Sequence, residues 1–210
     1  HFRRRELAET LTGVFHGQER PDWPKIRALH PRGNPSPYVA SCDTISITAG
    51  RLAYALDLRG PCESFNTACS SALTGLNSGR RAMQDSECEQ ALTASVALKL
   101  HPELTMDLAS ASMLSVDGRC KTFDVSVNGF ARSDGVGSVV LLPRQGSAAS
   151  ITAGPLCCSA VQQDGRGASL TAPNGAAQAN LLLFVWSRAP REASFGILET
   201  HGTGTPLGDP

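Results

Sequence analysis

The sequence predicts an α/β protein with a mainly parallel central sheet. Between residues 41 and 100, segments with helical spacing of apolar residues alternate with short extended or buried segments. A second succession of strand, loop, helix and strand is predicted between residues 151 and 198. Because parallel strands need a crossover connection, usually a helix, this alternation favours helix and sheet layers with functional groups near the strand ends.

Local patterns define the elements of the first half. Helical spacing indicates helices, apolar runs indicate buried strands, and glycine and proline indicate turns. The predicted order is a helix end at 1–12, a strand end at 13–15, a loop to 38, a helix at 41–56, an extended piece at 62–67, a helix from Cys69 to about Asp85 and a strand at 90–100.

The second half repeats the alternation after a linker. The predicted order is a short helix at 102–114, a polar turn at 115–120, a glycine-rich run to 137, a strand at 138–142, a linker at 145–150, a strand at 151–161, a polar loop at 164–175, a helix at 176–186 and a strand at 195–198. Because the linker consists of small polar residues between apolar segments, we expect two domains, 1–144 and 145–210.

Cys69 is the candidate nucleophile. We expect it to open a helix, where unpaired backbone N–H groups and the helix dipole favour the thiolate. The apolar residues that give this helix its predicted face are Ala72, Leu73, Leu76 and Met83. Small neighbours leave room for a substrate carbonyl, and the Cys69 backbone N–H is a candidate oxyanion donor. An isolated cysteine is also often a small buried hydrophobe, so both interpretations stay open at this point.

The composition limits the classes of partner. Nineteen basic and nineteen acidic residues give a formal charge of zero, so we expect neither nucleic acid nor anionic lipid as a partner. The apolar runs are too short to span a bilayer, and no signal-peptide pattern opens the chain. The seven cysteines are odd in number and lack Cys-x-x-Cys spacing, so we expect reduced thiols and no metal site. These observations predict a soluble cytoplasmic protein, or a plastid protein if the source is an alga.

His201 is the second candidate. It follows the predicted strand at 195–198 and lies in a loop of glycine, threonine and proline. Glycine lets the backbone approach a ligand closely, threonine hydroxyls suit an extended polar chain, and an imidazole ring can donate a hydrogen bond. Taken alone, this loop is weak evidence for a site.

Several motifs, taken in order, resemble those of one family. The run NTACSSAL at 66–73 resembles the nucleophile motif of β-ketoacyl synthases, and HGTGT at 201–205 resembles their first histidine motif. Between them, the runs similar to ketosynthase domains of type I polyketide synthases are DGRCKTFD at 117–124, QDGR at 163–166 and LTAPNG at 170–175. The resemblance covers nearly the whole chain.

The resemblance implies a fold, an assembly and a reaction. The fold is the thiolase-like layered α-β-α-β-α fold. It is incomplete in this sequence, which contains most of the N-terminal half and the start of the C-terminal half. The assembly is a homodimer that works with an acyl carrier protein. The reaction is decarboxylative Claisen condensation of acyl and malonyl thioesters. No cofactor is bound by the synthase, because the substrates are carried on the phosphopantetheine of the carrier protein.

The resemblance also implies roles for individual residues. The Cys69 thiolate accepts the acyl group, and its backbone N–H is one oxyanion donor. His201 donates a hydrogen bond to the enolate oxygen that forms when carbon dioxide leaves. Thr203 and Thr205 match positions that hydrogen-bond the pantetheine arm.

The sequence departs from the family pattern in ways that affect activity. Asn66 stands where many relatives have aspartate. The family's later lysine, second histidine and Gly-Phe loop do not occur before Pro210, so we expect an internal fragment that is inactive by itself.

Three alternative functions stay open in the sequence. They are a fatty-acid β-ketoacyl synthase, a non-catalytic partner subunit of the same fold, and a cysteine hydrolase. The presence of Cys69 argues against the partner subunit, and the HGTGT loop has no role in the hydrolase.

Overall fold

The computed structural model describes residues 4–29, 37–143, 154–169, 172–191, 194, 196–206 and 208. The helices in chain order are α1 (Arg4–Leu7), α2 (Trp23–Leu29), α3 (Val39–Cys42), α4 (Thr48–Leu56), α5 (Ser71–Gln84), α6 (Glu103–Ser110) and α7 (Gly175–Trp186), with a 3₁₀ turn at Ile45–Ile47 before α4. The strands are β1 (Thr12–Gly17), β2 (Cys62–Phe65), β3 (Gln90–Ala97) and β4 (Gly135–Leu141). The predicted α/β class is confirmed.

The strands form one sheet in the order β2-β1-β3-β4. β1 pairs in parallel with both neighbours, with Val14 opposite Cys62 and opposite Leu92. β4 runs antiparallel to β3 and forms one edge of the sheet. The carboxyl ends of β1, β2 and β3 therefore lie at the same edge of the sheet.

The core lies where α5 packs on β1. Phe15 is fully buried, and the helix residues that face the sheet are all small: Ser71, Gly75, Gly79 and Ala82. A Cβ on Gly79 would lie 3.0 Å from the Phe15 ring, so the helix approaches the strand closely. The predicted helix is confirmed, but its predicted inward face is wrong at Leu73, which is 69% exposed. The close contact with the Phe15 ring leaves no space for leucine on this face of the helix.

The predictions between residues 12 and 56 need three corrections. β1 extends to Gly17, so His16 is buried in the sheet, and burial lowers the pKa of its imidazole. The loop predicted up to residue 38 contains α2, whose first turn tolerates Pro24 because a proline there loses no helical hydrogen bond. The helix predicted at 41–56 is interrupted because the backbone of Thr44 is extended (φ −111°, ψ 136°).

The chain divides into two compact units, which we describe separately. The first unit contains His1–His101 and Ser133–Ser150, and the second contains Pro102–Arg132 and Ile151–Pro210. The whole sheet belongs to the first unit. Within the described parts of the second unit, no strand is assigned, so the strands predicted at 151–161 and 195–198 are not found there. An extended segment becomes a strand only when a neighbour accepts its backbone hydrogen bonds. Residues 151–153 and 195 lie outside the described residues.

α7 is the most apolar helix in the described part of the chain. It has twelve residues, and Asn174 caps it by accepting a hydrogen bond from the Ala177 N–H at 3.2 Å. A span of the bilayer needs about 20 residues, and none of the described helices combines that length with sufficient apolar character.

Gly17 provides a test of the close contact between β1 and the start of α5. A Cβ at this position would lie 2.5 Å from the Ser71 carbonyl carbon and 2.6 Å from the Ala72 nitrogen. Because these are backbone atoms that cannot rotate away, Gly17→Ala should lower the free energy of unfolding by about 1–3 kcal/mol in urea denaturation.

Gly50→Ala is the matched control. Gly50 lies in α4, and no atom lies within 4 Å of the added Cβ. This substitution should raise the free energy of unfolding by about 0.5–1 kcal/mol. Equal effects of the two substitutions would contradict the close contact at Gly17.

Candidate active site

Cys69 lies in the turn between β2 and α5. The strand ends at Phe65 and the helix begins at Ser71, with Ser70 as its N-cap residue. The predicted strand-to-helix junction is therefore confirmed, but Cys69 precedes the first helical turn instead of opening it. The reason is the backbone of Ala68, which has a φ of +54°. The chain completes this left-handed turn before helical hydrogen bonding begins.

The turn is strained and is held by a buried serine. A left-handed conformation costs a residue such as Ala68 about 1–3 kcal/mol, and such strain often occurs at functional sites. The Ser71 hydroxyl donates to the Ala68 carbonyl at 2.6 Å and accepts from the Thr67 N–H at 2.8 Å. Ser71 is 3% exposed, so these bonds are shielded from water. This role of Ser71 could not be predicted, since nothing in the sequence distinguishes Ser71 from the exposed Ser70.

Asn66 also contributes to the turn. Its side-chain oxygen accepts a hydrogen bond from the Ala68 N–H at 3.4 Å, as in an Asx-turn. An aspartate carboxylate can accept the same bond. Asparagine in place of aspartate at position 66 therefore removes a charge near Cys69 but keeps the hydrogen-bond acceptor that shapes the turn.

Cys69 is exposed and lines an open cavity of about 370 Å³. The cavity lies at the carboxyl ends of β1, β2 and β3, as predicted for functional groups in this class of sheet. Its lining residues are Gly17, Gln18, Glu19, Ala68, Cys69, Ser71, Ala72, Ser95, Val96, Ala97, Gly135, Val136 and Gly137. Most of these side chains are small, so a carbonyl group can reach the sulfur. A buried structural role for Cys69 does not fit this position.

His201 lies in a loop of the second unit. Its side chain is exposed, and the following residues run without a helix or strand through the described positions up to 206. The Thr203 and Thr205 hydroxyls lie 3.0 Å apart and form one hydrogen bond, so they present adjacent polar atoms. Cys69 belongs to the first unit and His201 to the second.

The loop that contains the DGRCKTFD run contacts the His201 loop. The Thr122 hydroxyl donates to the Gly202 carbonyl at 2.7 Å, and the Gly129 N–H donates to the Gly204 carbonyl at 2.8 Å. These contacts could not be predicted from the sequence, because a polar turn gives no indication of its distant partner.

Metal-ligating side chains do not cluster in the described residues. No group of three or more histidine, cysteine or acidic side chains there is placed to hold a metal ion.

Two family models match this chain. The model described as "Beta-ketoacyl synthase, N-terminal domain" matches residues 2–146. The model described as "Beta-ketoacyl synthase, C-terminal domain" matches residues 154–210.

Curated relatives are similar over almost the whole chain. The chain is 39% identical over 210 residues to the highly reducing polyketide synthase dmxL2 of Cryptosporiopsis sp. (strain 8999). It is 37% identical over 207 residues to the highly reducing polyketide synthase cnsI of Penicillium expansum. Each match covers 97% of this chain and 9% of the relative, so the chain spans about a tenth of the length of these synthases.

Solved structures of ketosynthases have the same fold. The ketosynthase domain OzmH KS7 of Streptomyces albus JA3453 matches with a TM-score of 0.87 at 33% identity, over 98% of this chain and 36% of that one. A ketosynthase from module 6 of the bacillaene synthase of Bacillus subtilis 168 matches with a TM-score of 0.84 at 33% identity, over 98% of this chain and 34% of that one. The predicted thiolase-like fold is thereby confirmed.

Proposed function

Because this chain belongs to the β-ketoacyl synthase family, we propose that it forms part of a polyketide ketosynthase that extends an acyl chain by decarboxylative Claisen condensation. The observation that carries the proposal is Cys69, exposed on a strained turn that opens into a cavity at the strand ends. The relatives described above are named polyketide synthases, which favours polyketide over fatty-acid extension.

The first step is acyl transfer to Cys69. The thiolate attacks the thioester carbonyl of the incoming acyl group, and the oxygen becomes an oxyanion that the Cys69 backbone N–H stabilises. The carbon–sulfur bond to the carrier then breaks, and the carrier leaves as a thiolate that takes a proton from water. The small lining of the cavity gives the carbonyl access to the sulfur.

The second step is decarboxylation followed by condensation. In a malonyl thioester the bond between the methylene carbon and the carboxylate breaks, carbon dioxide leaves, and the electron pair forms an enolate. The His201 ring N–H donates to the enolate oxygen. The enolate carbon attacks the acyl-Cys69 carbonyl, a carbon–carbon bond forms, and the Cys69 thiolate leaves. The product is a β-ketoacyl thioester on the carrier.

The carrier arm is the proposed ligand of the threonine pair. An acyl carrier protein delivers both thioesters on phosphopantetheine, whose amides need hydrogen-bond partners along an extended path. The adjacent hydroxyls of Thr203 and Thr205 suit such an arm.

The domain division and the compartment are also proposed. The family models that match 2–146 and 154–210 support a division between 1–144 and 145–210. We place the protein in the cytoplasm, since the structure describes six cysteines as free thiols, as is usual in a reducing compartment.

A condensation assay tests the proposed function. The full-length protein that contains this sequence is given an acyl thioester and an isotopically labelled malonyl thioester. We expect a β-ketoacyl product with one carbon dioxide released per product. Release of free acid without a carbon–carbon bond would indicate a hydrolase, and products whose β-keto group is always fully reduced would indicate a fatty-acid synthase.

We also propose a homodimer formed through the free edge of β2. β2 is an edge strand, and within the described residues β1 is its only partner. The Pro61 carbonyl accepts a hydrogen bond from the Val14 N–H of β1, and the Phe65 carbonyl accepts one from the N–H of Gln18, the residue after β1. The alternating residues Cys62 and Ser64 therefore present their backbone groups to the open edge. An open edge of this kind can pair with the same strand of a second copy.

Cys62→Pro tests this dimer. Proline removes the outward N–H of Cys62 and leaves the hydrogen bonds to β1 intact. We expect the substitution to shift the full-length protein from dimer to monomer in sedimentation velocity. Cys62→Ala removes the same thiol without loss of the N–H, and it should remain dimeric. A dimer that persists in Cys62→Pro would rule out pairing through this edge.

A further inference from the structure

The His201 loop is held at two carbonyl groups by one neighbouring loop of the second unit. The Thr122 hydroxyl donates to the Gly202 carbonyl at 2.7 Å. The Gly129 N–H donates to the Gly204 carbonyl at 2.8 Å. These bonds fix the Gly202–Thr203 and Gly204–Thr205 peptide groups, in the segment that begins with His201.

The two loops are in direct backbone contact. Gly202 has a φ of +48°, and a Cβ on it would lie 2.6 Å from the Thr122 methyl carbon. Gly204 has a φ of +66°, and a Cβ on it would lie 3.0 Å from the Lys121 nitrogen. Both glycines have left-handed backbone conformations, and the neighbouring loop leaves no space for a side chain at either position. The path of the His201 loop is determined by the loop that it contacts.

The neighbouring loop is itself braced around Asp117. This carboxylate lies 2.8 Å from the Lys121 ammonium and accepts hydrogen bonds from the Ser115 hydroxyl and, at 3.2 Å, from the Asn128 amide. The interactions with Lys121, Ser115 and Asn128 hold the pKa of Asp117 well below its usual range.

Backbone hydrogen bonds close the base of the same loop. The Ser115 N–H donates to the Phe130 carbonyl at 3.0 Å, and the Phe130 N–H donates to the Met113 carbonyl at 3.1 Å. A loop braced in this way is a firm support for a loop that has no regular hydrogen bonding of its own.

We propose that Thr122 is a positioning residue for His201, acting through the hydrogen bond from its hydroxyl to the Gly202 carbonyl. This inference rests on the proposed function. Because the His201 side chain is exposed, few packing contacts orient it, and the direction of the ring depends on the backbone that carries it. Misplacement of a donor by about 1 Å can cost about a hundredfold in rate. Thr122 contributes to enolate stabilisation without contact with the reacting atoms.

The test compares Thr122→Val with Thr122→Ser in the full-length protein. Valine keeps the shape and removes the donor, whereas serine keeps the hydroxyl. We expect Thr122→Val to lower the rate of malonyl thioester decarboxylation about tenfold, with no change in the rate of Cys69 acylation. Thr122→Ser should restore most of the decarboxylation rate.

Thr10→Val is the matched control. The Thr10 hydroxyl also donates to a backbone carbonyl, that of Leu7, at 2.7 Å. Thr10 precedes the first residue of β1, so it lies at the opposite end of this strand from the cavity. Loss of the Thr10 hydroxyl should leave the rates of decarboxylation and of Cys69 acylation unchanged. Decarboxylation at the wild-type rate in Thr122→Val would overturn the proposal, and so would an equal loss of acylation, which indicates a general structural role.

A second measurement separates this inference from the proposed function. The NMR signals of the His201 ring should shift in Thr122→Val and remain in place in Thr122→Ser and Thr10→Val. If the wild-type protein does not decarboxylate malonyl thioester, the proposed function fails. The signals of the His201 ring then test by themselves whether Thr122 positions His201. Unchanged ring signals in Thr122→Val overturn it.

Discussion

Replacement of Cys69 with alanine abolishes transfer of an acyl group to the full-length protein. Alanine keeps the small side chain that the turn accommodates and removes the only sulfur among the described residues that line the cavity. No other group there can form the thioester, so acylation should fall at least about a thousandfold, to background. The measurement is the mass increase of the intact protein after incubation with an acyl pantetheine thioester, with peptide mapping of the modified residue.

Cys157→Ala is the control for this experiment. Cys157 is also an exposed thiol, and it donates a weak hydrogen bond of 3.9 Å to the Pro155 carbonyl. Acylation of this variant should match that of the wild type. Acylation that persists undiminished in Cys69→Ala would show that another residue is the acceptor, and the assignment of Cys69 would then be wrong.

The sheet and the position of Cys69 could be predicted from local sequence patterns. The buried strand at 90–97 and the helix at 71–84 were indicated by their apolar content and spacing, and Gly60 with Pro61 indicated the break before β2. These patterns are sufficient because each element is determined mainly by residues near one another in the chain. The parallel pairing followed from the alternation of helix and strand.

The packing of α5 could not be predicted from the same patterns. A periodicity analysis identifies large apolar residues, whereas the inward face of this helix consists of Ser71, Gly75, Gly79 and Ala82. Glycine and serine are weak signals by themselves, and their value becomes clear only beside Phe15, which is distant in sequence. The same reason explains why Gly17 was not identified as a contact of the nucleophile turn.

The hydrogen bonds that hold both candidate loops in place also could not be predicted from the sequence. Ser71 acts on Thr67 and Ala68 through a hydroxyl that ordinary serines share, and Thr122 acts on a carbonyl eighty positions away in the chain. A motif identifies residues that carry distinctive chemistry, such as a thiol or an imidazole. The hydrogen bonds that hold those residues in place use common side chains and depend on tertiary contacts.

His201→Ala should separate the two steps of the proposed reaction. His201 lies in the second unit, whereas the residues that shape the Cys69 turn all lie in the first. Acylation of Cys69 should therefore continue at close to the wild-type rate. Decarboxylation of the malonyl thioester should fall by about a hundredfold to a thousandfold, the usual cost when one donor to a developing oxyanion is removed. The measurement is the release of labelled carbon dioxide under saturating substrate.

The size of this loss depends on the hydrogen bond that the ring donates, which His201→Gln tests. Glutamine retains an N–H donor on a side chain of comparable length, so this variant should decarboxylate faster than His201→Ala. His101→Ala is the control, because it removes a histidine that belongs to neither loop, and it should keep both rates. If His201→Ala decarboxylates as fast as the wild type, His201 does not stabilise the enolate, whereas an equal loss of acylation would indicate that the substitution disrupts the fold.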